Sequence, residues 1–476
     1  MQLTSTTDAS ASARTVGGSL LARLNQPIAT GLIAFIAWFA FVIARWQTWA
    51  HGHITLFIMS GVKYSHPAQM SPRISHVTKA GYDGQFYYRL ALNPFNWHRT
   101  AYGITMDHNY RYTRLGYPVV AWILSLGQHH LVPTVLVVIN LVCVGIIGWL
   151  GGKFARESGR HALWGLLFVA YFGLVISVGR DTAEPLADAC MLGGLLAYRH
   201  SRYVLAALLV TYGVITNEPI LVLAVAIALT RLYEMFRRRA RPGMADLVWV
   251  LPGAAYLVLQ GIEHVVVKGK AGGVADATAN LTLPFKALVP AVYRDIHRMS
   301  WTHLGMYDIS LIEFIALAAF VVAGLLVLRS TTAPLHERVA FVGFVLVEMV
   351  IASGQFWDSV FGDGRTYIDA FLLAVIMLLA TPSTRSSSAE PSGATKLWVL
   401  TTNRVVTNKH LAWLTAVAVV ALIVVARRRI LFQYRPAPRG PGAAAPYMPA
   451  ISFSTRSSIE RNGSLHRTVR LSLIHI

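Results

Sequence analysis

The stretch Gly81-Tyr82-Asp83-Gly84-Gln85-Phe86-Tyr87-Tyr88-Arg89 sets one carboxylate among aromatics and glycines. A single aspartate so placed is suited to general-base work, although Asp-Gly is also an ordinary turn. Farther on, Asn109-Tyr110-Arg111-Tyr112-Thr113-Arg114-Leu115-Gly116-Tyr117-Pro118 places two arginines three apart. They share one face if the segment is helical. A planar guanidinium fork matches phosphate, so Arg111 and Arg114 are the first candidates to hold an anion, with Arg89 and Arg365 next. Tyr110 lies beside them.

These residues need elements to position them, and the composition says which kind. Of 476 residues, 55% are hydrophobic and only 13% charged, against about 25% charged in an ordinary soluble domain. Apolar runs of bilayer-spanning length recur between short polar stretches, which predicts an all-α, polytopic transmembrane bundle. About eleven spans are expected, near 28–48, 131–151, 162–179, 184–199, 203–216, 218–233, 245–266, 308–328, 336–354, 366–381 and 410–426. The net charge of +20 excludes little by itself, but its arginines cluster between apolar runs, as in Arg231, Arg237, Arg238, Arg239 and Arg241. That is the positive-inside pattern of a membrane protein and argues against nucleic acid as a partner.

With the N-terminal tail 1–27 inside as an uncleaved segment, residues 49–130 form a large first loop on the extracytoplasmic side. The loops at 179–184, 216–219, 267–307 and 355–365 share that side. Segment 117–127 is apolar but too short to span and reads as a juxtamembrane helix with Pro118 near its start. The main domain is 28–381, followed by a linker and final span over 382–426 and a basic tail over 427–476. The last six residues, Leu471–Ile476, match a translated sequencing adapter and read as a scar. No internal repeat is apparent, which weighs against inverted-repeat transporters.

Several polar groups fall at the same ends of the spans. Arg180, Asp181 and Glu184 open one, with Asp188 one turn beyond, and Glu218 opens another. Glutamate at a helix N-terminus is favoured by the macrodipole, so capping explains Glu184 and Glu218. Ionisable groups near membrane depth also tend to face a cavity, which makes them candidates to line a site. Gly362-Asp363-Gly364-Arg365 precedes a late span, either as a turn with a snorkelling arginine or as a second arm on the anion. His129-His130 reads as interfacial, Asn280-Leu281-Thr282 fits a glycosylation sequon, and Cys143 and Cys190 read as core fillers.

Tyr-Asp-Gly-Gln-Phe-Tyr-Tyr-Arg followed by Tyr-Arg-Tyr-x-Arg-x-x-Tyr-Pro resembles a family of bacterial multi-pass proteins of cell-surface glycopolymer formation. More distantly, the chain is similar to the GT-C glycosyltransferases, including the GPI mannosyltransferases, over roughly residues 28–380. Thr182-Ala183-Glu184-Pro185 and Thr216-Asn217-Glu218-Pro219 carry the likeness more weakly. The resemblance implies a polyprenyl-phosphate sugar as donor, a glycan or lipid-linked acceptor, and an essential acid in the first outer loop, here Asp83. It implies a bacterial inner-membrane enzyme working on the periplasmic side. One carboxylate would take the proton of the acceptor hydroxyl, with inversion at the anomeric carbon, while arginines stabilise the departing phosphate. No Asp-x-Asp occurs in the chain, which favours a lipid-linked donor and no obligatory cofactor, with room left for a divalent metal. A flippase for lipid-linked sugars and a non-catalytic subunit of a polymer-assembly complex are the competing expectations.

Overall fold

A computed structural model describes residues 22–71, 74–77, 81–239, 241–267, 282–300, 305–351 and 364–382, with 410, 412–414 and 416–417. Most of the N-terminal tail, Asn280, Asp363, nearly all of the expected linker and final span, and the basic tail with the six residues expected to be a scar lie outside these residues. The described chain is mostly helical. In order come α1 (Pro27–Thr48), α2 (Gly84–Leu92), α3 (Gly116–Leu124), α4 (Val132–Glu157), α5 (Gly173–Gly179), α6 (Glu184–Arg199) and α7 (Tyr203–Thr216). Then follow α8 (Glu218–Arg238), α9 (Met244–Val266), α10 (Leu288–Arg298), α11 (Tyr307–Val327), α12 (Leu335–Met349) and α13 (Ile368–Leu379).

Among the described residues five helices, α1, α4, α8, α9 and α11, are long and apolar enough to cross a membrane. A sixth arises if the 3-10 segment Ala162–Val169 and α5, bent by 67°, count as one. The chain thus carries several helices fit for a bilayer. The expected spans at 184–199, 203–216, 336–354 and 366–381 fall on α6, α7, α12 and α13, which have 16, 14, 15 and 12 residues. At 1.5 Å per residue, α13 rises only about 18 Å, and all of its side chains are buried. It is a core helix packed on α11 and α12. Small residues bring α1 and α4 together. A Cβ at Gly148 would stand 2.6 Å from the Ala34 Cβ, and such close approach replaces the hydrophobic drive that lipid cannot supply.

The stretch expected as one long loop is a folded layer. It holds a 3-10 turn (Ile54–Ile58), a two-residue parallel pairing of Ser60–Gly61 with His76–Val77, α2, a hairpin (Thr100–Ala101 with Ile104–Thr105), a 3-10 turn (Asn109–Thr113) and α3. The expected juxtamembrane helix is α3, with Pro118 in its first turn.

Two glycines explain the motif around Asp83. Gly81 has φ +78 and lies so near the Met59 carbonyl that a Cβ would come within 2.3 Å of it. Gly84 opens α2 wedged between chain segments, where a Cβ would meet the Arg180 carbonyl oxygen at 2.3 Å and that of Ile58 at 2.8 Å. Both neighbours are backbone and cannot swing aside. Gly84→Ala should therefore cost about 1–3 kcal/mol by overpacking and shift Asp83. A thermal midpoint equal to wild type would show that α2 is not pinned here.

Charges sort to the two ends of the helices. Glu184 and Glu218 begin α6 and α8; Arg199, near the far end of α6, pairs with Glu337 at 2.6 Å, and Arg231, late in α8, with Asp246 at 2.6 Å. Arg160 donates to the carbonyls of Leu379 and Thr381 at that second end. Asp83 and the first-loop layer belong to the Glu184 end.

Candidate functional site

Asp83 is the residue just before α2, and its carboxylate caps no backbone N–H. It turns instead to two arginines from distant parts of the chain. Arg111 Nη2 donates to Oδ1 at 2.8 Å, and Arg365 Nη2 donates to Oδ2 at 2.5 Å. Arg111 is gripped on its other side by Asp107, with Nε to Oδ1 and Nη2 to Oδ2 both at 3.0 Å. Arg365 extends its second nitrogen, Nη1, to Glu184 Oε1 at 2.9 Å, while Ser177 Oγ donates to Glu184 Oε2 at 3.3 Å. The result is a continuous line, Asp107–Arg111–Asp83–Arg365–Glu184. Close by, Arg114 forks onto Glu218, with Nε to Oε2 at 2.6 Å and Nη2 to Oε1 at 2.5 Å.

Aromatic rings hold these guanidiniums in plane. Tyr110 lies 5.0 Å from both Arg111 and Arg114 and so joins the two ion-pair groups. Phe86 backs Arg111 at 4.7 Å. Tyr82 carries Arg180 at 4.2 Å and Arg365 at 4.8 Å. Arg365 is brought in by the bend before α5. A Cβ at Gly173 would stand 2.7 Å from the Arg365 nitrogen, so only glycine lets that backbone approach.

Arg111, Arg365 and Glu184 are buried and Asp83 and Asp107 partly so, and along the line three carboxylates share two guanidiniums. Burial pushes the Asp83 carboxyl up, but the Arg111 and Arg365 guanidiniums outweigh it and hold Asp83 far below the usual carboxylate range. So held, Asp83 is ionised and a weak base, since a good general base titrates near the working pH. Burial also pushes the Tyr87 hydroxyl up to about 12, which keeps it a neutral donor. Tyr87 Oη, Arg111 Nη1 and Arg365 Nε are all buried without a hydrogen-bond partner among the described residues. Buried polar atoms are almost always paired. Three spare donors around one carboxylate therefore suit a ligand rich in acceptor oxygens.

Of the residues singled out from sequence, Asp83, Tyr110, Arg111, Arg114, Arg180, Glu184, Glu218 and Arg365 gather at this place. Glu184 and Glu218 do sit in the first turns of their helices, but they are arginine partners as well. Arg89 does not join them; it donates to the His98 carbonyl and lies 5.3 Å from the Tyr112 ring, bracing the layer. Asp181 sits at φ +49, fully buried, with both oxygens unpartnered among the described residues. Its electrostatic neighbours are Arg45 and Tyr117 rather than Arg111 or Arg365, and burial raises its carboxyl well above the usual range. Asp188 comes within hydrogen-bonding reach of Asp369, with Glu348 next to Asp369. This inner acidic group lies one turn past Glu184.

Sequence reasoning passed over Asp107, Tyr82 and Tyr87. Asp107 had a signal, an acid four residues before Arg111; the two tyrosines were hidden among aromatics that an interface would carry anyway. Among the described residues no group of three or more His, Cys, Asp or Glu could hold a metal ion. Compared with family models, with curated proteins and with solved structures, the chain matches none.

Proposed function

We propose that this protein is a membrane glycosyltransferase of GT-C type. It moves a sugar from a polyprenyl-phosphate donor to a cell-surface glycan or lipid-linked acceptor. The observation that carries this reading is the set of buried, unpartnered donors, Tyr87 Oη, Arg111 Nη1 and Arg365 Nε, around the partly buried Asp83. A donor phosphate offers several anionic oxygens, and guanidinium binds such groups more strongly than it binds most neutral acceptors. As phosphate draws Arg111 and Arg365 toward itself, Asp83 loses the partners that depress its basicity. It then accepts the acceptor hydroxyl's proton while that oxygen attacks the anomeric carbon. The bond from that carbon to the phosphate oxygen breaks, its electron pair stays on polyprenyl phosphate, and configuration inverts. The scheme requires no metal, because arginines carry the charge on the leaving group. Positive-inside arginines at the opposite helix ends support a site on the extracytoplasmic, periplasmic face of a bacterial inner membrane.

A flippase or exporter of lipid-linked sugars is the second reading. It draws on Asp188, Glu348 and Asp369, buried acids within helices, since transport pathways use such residues. They lie near the site end of their helices, which favours surface chemistry over passage. Purified protein in lipid nanodiscs, given labelled polyprenyl-phosphate sugars and acceptor glycans, should transfer label with inverted configuration. Movement of the labelled lipid across vesicles without any transfer would support the flippase instead. No turnover, combined with co-purification of a polymer synthase, would make the chain a non-catalytic subunit.

A further inference from the structure

On another side of the first-loop layer lies a cleft of about 580 Å³, within the range of small-molecule sites. Five separate parts of the chain wall it: His53 and Thr55 after α1, Gln69 and Ser71 beyond them, Tyr88 of α2, Tyr102 of the hairpin, and His129-His130 ahead of α4. Among the described residues that line it, none is Asp, Glu, Lys or Arg. That contrasts sharply with the arginine-rich line at Asp83. The cleft offers flat rings with hydroxyl, amide and imidazole groups, which match the apolar C–H faces and hydroxyls of a sugar. Among the described lining residues there is no lysine or arginine to favour a phosphate or a uronate.

Tyr102 marks the cleft as built. It is the first residue of a two-residue hairpin turn, at φ +50, with Gly103 following at φ +73. Such a turn favours Asn or Gly, and a bulky aromatic there is an outlier that invites a functional explanation. Its ring stands edge-on to His129, centroids 5.3 Å apart, at the cleft wall. The turn spends backbone comfort to present an aromatic face.

We infer that this cleft is a subsite for a neutral saccharide, the non-reacting part of an elongated acceptor. The acceptor role rests on the glycosyltransferase reading; the binding of sugar does not. Tyr88 is five residues past Asp83 on the same helix, about 7–8 Å along its axis and on a different face. A sugar held at Tyr88 is thus not the one that reacts but one farther along the chain.

Calorimetry on the full-length protein in nanodiscs tests this, with neutral hexose oligosaccharides of glucose, mannose and galactose and a galacturonate oligomer of equal length. At least one neutral oligomer should bind saturably, and galacturonate at least tenfold more weakly. Tyr102→Asn should weaken binding at least tenfold while its thermal midpoint stays equal to or above wild type, since the strained aromatic is gone. Asp83→Asn should bind as wild type, which separates this site from the transfer chemistry. Absence of saturable binding by every neutral oligomer overturns the proposal, as does stronger binding of galacturonate or unchanged binding by Tyr102→Asn. Loss of transfer activity alone would leave it standing.

Discussion

Asp83→Asn should lower sugar transfer by about 10²–10⁴-fold, the range that a positioned proton acceptor supplies, while the protein still inserts and accumulates. Asparagine keeps the size of aspartate and still accepts a hydrogen bond, so Arg111 and Arg365 keep a neighbour. Each also retains its other carboxylate, Asp107 for Arg111 and Glu184 for Arg365. Removing one partner of a buried pair outright can cost about 3–5 kcal/mol; here the remaining acids limit that loss. Transfer assays and membrane yield must be measured together, because a fall in both would mean misfolding. Normal transfer by a well-accumulated Asp83→Asn protein would sink the assignment of Asp83 as base. The pH dependence has a definite sign as well. Asp83's folded-state pKa lies below its unfolded value of about 3.9, so its stabilisation is fully present above that value. It fades only as pH falls toward the depressed folded value. Between pH 5 and 8 the stability gap between wild type and Asp83→Asn should therefore be flat, which thermal unfolding across that range can check.

What the sequence made legible was local. The Gly-Tyr-Asp-Gly motif stood out because two close backbone approaches require glycine, and glycine is visible in a sequence. Hydropathy likewise exposed the apolar helices, although it overcounted lengths where α12 and α13 end early inside the bundle. What stayed hidden was long-range. Asp83 and Arg365 are 282 residues apart, and their meeting depends on how the bend before α5 lets Gly173 touch the chain at Gly364. No spacing rule encodes that. Arg89 was grouped with Arg111 by residue type alone. Once α2 begins at Gly84, six residues of helix carry Arg89 well round from the side of Asp83, toward His98 and Tyr112. Asp181 departs as well: it sits in the left-handed region at φ +49, and neither of its oxygens meets Arg111 or Arg365. Type and neighbourhood in sequence thus nominated most of the residues that meet at Asp83, while direction depended on where each helix starts.

Arg365→Lys keeps the charge and should still cost about 10²–10³-fold in transfer, comparable to removing a preorganised transition-state donor. Arg365 does three things with one rigid group: Nη2 holds Asp83, Nη1 holds Glu184, and its plane lies over Tyr82. Lysine is a single, strongly hydrated point charge on a flexible stem and cannot reach both carboxylates in that geometry. Glu184 or Asp83 would then lose its partner, and the fork that meets a phosphate would be gone. Combining the substitution with Asp83→Asn distinguishes the mechanism from mere crowding of charge. If Arg365 acts with Asp83, the double variant should be scarcely worse than the poorer single one, since coupled residues lose their effect together. Fully additive losses would mean that the two act separately. Wild-type transfer by Arg365→Lys would mean that only the charge matters, and that the exchange of Arg365 from Asp83 to a donor phosphate is not how the carboxylate becomes a base.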